Sequence, residues 1–124
     1  MPKASYIAST TPADNRVIAS AVSSYLATAY PPGRTTLAIR PIASGSTPLL
    51  NELAADLRTQ GFAITQTGFG ARDTQTVRLI VSRNFGGCVV RLHYGTREAS
   101  TFLGRDVSGY LQPTSPFVVR DVAQ

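Results

Sequence analysis

Apolar residues recur every three or four positions from Ile18 onward. Ile18, Ala21, Val22, Tyr25, Leu26 and Ala29 fall on one stripe. That spacing predicts an amphipathic helix with one buried side. Its start is written in Thr11-Pro12-Ala13-Asp14. Thr11 is the cap, Pro12 suits the first helical position, and Asp14 stands where a capping-box acid belongs. Pro31-Pro32-Gly33 ends it. A second helix follows the turn Ser44-Gly45-Ser46-Thr47-Pro48, with Thr47 as cap. Leu49, Leu50, Leu53, Ala54 and Leu57 make its apolar side, while Glu52, Asp56 and Arg58 face water. Gly61 is its stop, because glycine takes the left-handed conformation without strain.

The rest of the chain alternates with a period of two. Thr35–Arg40 and Phe62–Gln66 read as strands, and Gly68-Phe69-Gly70-Ala71-Arg72-Asp73 as a loop. Val77, Leu79 and Val81 share one strand face, and Asn84-Phe85-Gly86-Gly87 turns the chain. Cys88, Val90, Leu92 and Tyr94 then share a face, with Val89, Arg91 and His93 on the other. Further strands are predicted near Glu98–Arg105 and at Phe117–Arg120, with Pro113 and Pro116 marking the last segment as an edge. The order α-β-α-β-β-β-β-(β) predicts a small two-layer α+β domain. Two helices pack on one face of a mostly antiparallel sheet of about five to six strands. The other face and at least one edge are left to water. Residues 1–10 read as a flexible N-terminal arm, and 11–124 as a single domain.

Composition agrees with this. The chain has 124 residues, 43% apolar and 15% charged, which is one globular domain and not a disordered chain. No run of 18 apolar residues occurs. The single cysteine, Cys88, excludes an internal disulfide and a multi-cysteine zinc site. Lys3 and eleven arginines against seven acids give a net charge of +5. That excess favours polyanions, but the arginines are spread evenly and form no basic tail. Met1-Pro2-Lys3-Ala4-Ser5-Tyr6 lacks the apolar run of an export signal, which reads either as a cytoplasmic chain or as one whose signal was removed.

Catalytic chemistry is hard to assemble from these residues. His93 is the sole histidine and lies on the Arg91 side of its strand. Glu98 sits across a tight turn from it, with no nucleophile beside the pair. Cys88 belongs to an apolar face, where a thiol behaves as a small inert hydrophobe. Glu52 and Asp56 lie four apart on a helix side that water covers. The glycine turns at Gly68–Gly70 and Phe85–Gly87 lack the GK[ST] of a phosphate loop. No catalytic, cofactor-binding or metal-binding residue, and no cofactor, is expected. For nucleic acid, the RNP-type alternation of aromatics is missing, and Tyr94 and Phe102 are as well suited to the core.

Two stretches carry a family resemblance. One runs from Val17-Ile18-Ala19 through Leu26-Ala27-Thr28-Ala29-Tyr30-Pro31-Pro32-Gly33-Arg34-Thr35 to Leu49-Leu50-Asn51-Glu52-Leu53 and Leu57-Arg58-Thr59-Gln60-Gly61-Phe62-Ala63-Ile64. The other runs from Val90-Arg91-Leu92 through Thr101-Phe102 to Asp106 and Val118-Val119-Arg120. Together they resemble the TrbH family of small lipoproteins of conjugative type IV secretion systems. In that family one helix ends in LA-x-x-YPP-x-x-T and the next in LR-x-x-GY-A-V. The resemblance implies a non-enzymatic structural subunit, periplasmic and outer-membrane associated, with no cofactor. It implies other secretion-channel subunits as partners and a lipid anchor upstream of this chain, and a homo-oligomer is a further candidate. The sheet edges are the expected contact sites: Thr35–Arg40, with Leu37 and Ile39, and Gln112–Val119, with Val118. Arg78 and Arg91 are expected to meet an acidic partner. The alternative is a cytoplasmic basic nucleic-acid-binding accessory domain of a mobile element.

Overall fold

The computed structural model describes residues 4–42, 47–65 and 73–122. Two helices, α1 (Pro12–Ala29) and α2 (Pro48–Gln60), lie among eight strands. The strands are β1 (Tyr6–Ile7), β2 (Thr36–Ile39), β3 (Ala63–Thr65), β4 (Thr74–Asn84), β5 (Gly87–Tyr94), β6 (Arg97–Arg105), β7 (Leu111–Pro113) and β8 (Val118–Asp121). The helix boundaries follow from local chemistry. The Thr11 hydroxyl accepts from the Asp14 amide at 3.1 Å, and the Asp14 carboxylate accepts from the Thr11 amide at 3.3 Å. This is the capping box anticipated from the sequence. Tyr30 is extended, as the residue before a proline tends to be, and α1 stops there. The second helix closes on Gly61 at φ 106°, and Thr47 caps its start by accepting from the Leu50 amide at 3.2 Å.

The sheet runs β3-β2-β4-β5-β6-β7, with β1 on β4 and β8 on β6. The α+β class and the mostly antiparallel sheet are as anticipated, with more strands than the five to six expected. The excess has a simple origin. β5 pairs one side of β4 from Val77 to Asn84, so β1 and β2 share the other side, at Ile80–Val81 and Thr74–Val77. In the same way β7 and β8 share the outer side of β6, at Leu103–Arg105 and Arg97–Ser100. The sheet is six columns wide, with two columns each split into short strands. β1, β2 and β3 run parallel to their partners, and β4 through β8 antiparallel.

Part of the arm expected at residues 1–10 is tied down. Ser5 donates its hydroxyl to the Arg40 carbonyl at 2.6 Å and accepts from the Leu79 amide at 3.0 Å. Arg78 Nε donates to the Ala4 carbonyl at 2.8 Å, and the Ala8 amide to the Val81 carbonyl at 3.0 Å. A two-residue strand is too short to show a period, so the polar sequence concealed it. The predicted loop Gly68–Asp73 lies, except for Asp73, outside the described residues, as does the Ser44–Ser46 part of the turn before α2.

Both helices cover one face of the sheet. Ile18, Val22 and Leu26 of α1 and Leu49, Leu53 and Leu57 of α2 join Val77, Leu79, Val81, Cys88, Val90 and Leu92 in one buried cluster. The first turn of α1 is locked to the far end of β6. Arg105 Nη1 and Nη2 donate to the two Asp14 oxygens at 2.9 and 3.0 Å, with Asp14 only 3% exposed.

The expected edge at Thr35–Arg40 is corrected by this topology. β2 lies between β3 and β4 and pairs with both. Leu37 and Ile39 are core residues, buried beneath the helices. The sequence shows a branched, alternating run but not how many neighbours that run acquires.

Candidate functional site

Pro113 and Pro116 interrupt the last column of the sheet. Neither can donate to a ladder, so β7 ends at Pro113 and the chain loops over before resuming as β8. Two hydroxyls hold the crossing against β6. Thr114 donates to the Phe102 carbonyl at 2.7 Å, and Thr101 to the Ser115 carbonyl at 2.9 Å. Among the described strands β8 pairs with β6 alone, so its other side is an open edge. All four of its residues are exposed, Val118 at 67%. Natural edges are usually blunted by lysine, proline or a bulge. The prolines do this for the first half of the column and leave the Val118-Val119 half available.

The edge adjoins a groove. Phe117, just before β8, stacks tilted on Tyr25 of α1 with ring centroids 4.7 Å apart. Tyr25 in turn meets Tyr94 edge-on at 5.9 Å, and the two hydroxyls are hydrogen-bonded. Beside this cluster an open groove of about 1120 Å³ runs between α1 and the β7–β8 segment. Val17, Ala21 and Tyr25 form one wall, Leu111, Pro113 and Phe117 the other, and Arg16, Glu52 and Asp56 also line it. Val119 is paired with core residue Ala99, so it lies on this helix side, while Val118, paired with Ser100, lies on the opposite face. A strand added along β8 sends alternate side chains toward the groove.

The face of the sheet away from the helices carries the charge. Register places Arg78, His93, Glu98 and Arg120 in one row across β4, β5, β6 and β8. Glu98 is buried beneath Arg120 at 3.1 Å and His93 at 3.5 Å. The approach of Glu98 to His93 expected across the turn is present, and His93 itself is half-buried. The next row is Tyr6, Ile80, Arg91, Ser100 and Val118. Arg78 and Arg91 thus lie on the helix-free face, and of the sequence candidates Val118 alone lies on an open edge. The groove and its Tyr25–Phe117 contact were not anticipated. Their signal was the breadth of the α1 stripe: Ala21 and Tyr25 sit at its margin, half-buried, and line the groove.

The potentially reactive groups are held in quiet forms. Burial pushes the Cys88 thiol above its ordinary value, against the pull of Arg105. Burial first, and the Tyr94 hydroxyl second, push the Tyr25 phenol well above the usual range. Among the described residues no three of His, Cys, Asp and Glu gather as metal ligands. Native Cys88 is therefore expected to react with Ellman's reagent at pH 8 only as fast as the domain opens, and at once in 6 M guanidinium. Prompt labelling of the folded protein would show that the thiol is accessible.

The chain matches the family model described as conjugal transfer protein TrbH over residues 1–121. It belongs to that family and is a conjugal transfer component. Neither a curated protein nor a solved structure shows a significant match to it. Among the described residues no helix is long and apolar enough to cross a membrane.

Proposed function

We propose that this chain is a non-enzymatic structural subunit of a conjugative type IV secretion apparatus, periplasmic and associated with the outer membrane. It assembles by accepting a strand of a neighbouring subunit along β8. The observation that carries this reading is the continuity of an open, valine-bearing edge with an apolar groove. Main-chain pairing along such an edge supplies affinity, and pockets for alternate side chains supply specificity. The groove belongs to the same surface as the edge, because Phe117 both lines it and leads into β8. The neighbour is another channel subunit or a second copy of this chain. A lipid anchor ahead of the folded part fits this placement, and the intact mass of the mature protein from outer-membrane fractions tests it.

Val119→Pro is expected to abolish co-purification with the other channel subunits and to reduce mating frequency, because the alternation of the ladder turns the Val119 amide to the open edge and the Val118 amide to β6. Arg91→Ala, on the helix-free face, is expected to leave co-purification near wild type. Thermal melting of each variant establishes that it is folded. Equal loss of co-purification from the two substitutions would contradict the edge mechanism, because Arg91 lies on β5, with β6 between it and the edge backbone of β8.

A further inference from the structure

The helix-free face has a second feature that edge docking does not use. Phe102 lies on this face, paired with Val89. The next pair on the same face of these two strands is Gly87 and Gly104. The Phe102 ring lies over both: Cζ is 2.9 Å from where a Gly87 Cβ would stand, and Cε2 is 3.4 Å from the Gly104 equivalent. Two adjacent glycines thus let an aromatic ring lie down on the sheet, leaving a half-buried ring with one side toward solvent. Tyr6 projects from the same face, 58% exposed, because its partner Ile80 is on that face. Three arginines share it: Arg78, Arg91 and Arg120. Glu98 is the sole carboxylate that the described strands place there, and it is already covered by Arg120 and His93.

We propose that this face binds single-stranded nucleic acid, with bases stacked on Phe102 and Tyr6 and phosphates held by Arg91, Arg78 and Arg120. Strand spacing puts the two rings about 16 Å apart, a span bridged by roughly four nucleotides. Arg91 lies between them, beside a shallow pocket of about 300 Å³ that Phe102, Ser100 and Val118 also line. A protein partner is less well matched. Interface cores concentrate apolar area and exclude charge. Here Arg91 and Ser100 separate Ile80 from Val118 within one row. Isolated rings set among guanidinium groups are what sequence-tolerant binding of a flexible polyanion requires.

The test is anisotropy of fluorescein-labelled dT20 titrated with the full chain. Binding is expected at 50 mM NaCl and about 20-fold weaker at 200 mM, the slope of three neutralised phosphates on a single strand. Phe102→Leu keeps an apolar cover over the glycines and removes the stacking surface, and is expected to weaken binding roughly tenfold. Arg91→Ala is expected to weaken it and to flatten the salt dependence. Melting curves confirm that both variants are folded. Absence of binding at 50 mM, or binding unchanged by both substitutions, overturns the proposal. So does equal competition by poly-L-glutamate, which would assign the face to an acidic protein. Val119→Pro, which tests strand addition separately and whose side chain lies on the helix side, is expected to bind dT20 normally, so either reading can fail alone.

Discussion

Asp14→Ala will lower the unfolding free energy by about 3 kcal/mol. Breaking a buried ion pair costs roughly 3–5 kcal/mol because one charge is stranded. Here the stranded partner, Arg105, has a side chain 35% exposed and regains water, which reduces that figure. The same substitution removes half of the capping box on Thr11, worth about 1 kcal/mol. In a domain of this size the sum lowers Tm by about 10 °C. Asp14→Asn keeps the side-chain shape and an acceptor for the cap while removing the charge, and should fall between wild type and alanine. Urea denaturation with linear extrapolation decides. A loss below 1 kcal/mol for alanine would mean that Asp14 is not clamping α1 to β6.

The same pair sets an acid limit. The Arg105 guanidinium, chiefly by hydrogen bonding, holds the Asp14 carboxyl below its ordinary 3.8 despite the opposing effect of burial. A depressed folded pKa means that the unfolded chain binds the proton first. The contribution is therefore complete above the unfolded value near 3.8 and is lost as pH falls below it, through the folded pKa. The gap in stability between wild type and Asp14→Asn should be flat above about pH 5 and narrow steadily below about pH 4. A gap that stays constant down to pH 2 would contradict the assignment.

Asp14 also shows how far local signals reach. As a capping-box acid it was legible, because the box is written within four residues. Its second partner, Arg105, lies 91 positions away, and nothing in the spacing pairs them. The helices and the long strands were legible for the same local reason, since each carries a period. The candidate site was legible in part. Pro113 and Pro116 marked the last column as an edge, and Val118 was placed on it. At Thr35–Arg40 the same reasoning failed, because a branched alternating run looks alike on an edge and in an interior column. β2 became an interior strand only because β3 paired along its outer side, and the helices buried Leu37 and Ile39. The groove and the reclining Phe102 were beyond reach, since each depends on residues from two or more elements meeting.

Gly87→Ala is expected to be the most damaging glycine-to-alanine change among the described residues, at about 3 kcal/mol or more. The reason is proximity, not backbone freedom. A Cβ on Gly87 would stand 2.0 Å from the Leu103 carbonyl oxygen and 3.0 Å from the Gly104 Cα, both main-chain atoms of β6. A flexible side chain can move from such a contact, but a paired strand cannot without losing its ladder, so the cost exceeds ordinary overpacking of about 1–3 kcal/mol. The Phe102 ring, 2.9 Å away, would also be lifted off the sheet. Two other glycines calibrate the effect. Gly86 has open space around it but a φ of 81°, so alanine there should cost only about 1–2 kcal/mol of backbone strain. Gly33 has open space and no positive φ, so alanine should be close to neutral. In hydrogen exchange, Gly87→Ala should first release the amides of Cys88 and Val90, which the ladder turns toward β6, before global unfolding. If Gly87→Ala proves no worse than Gly33→Ala in urea midpoint, the close approach of β5 and β6 at this turn is wrong, and with it the resting place of the Phe102 ring.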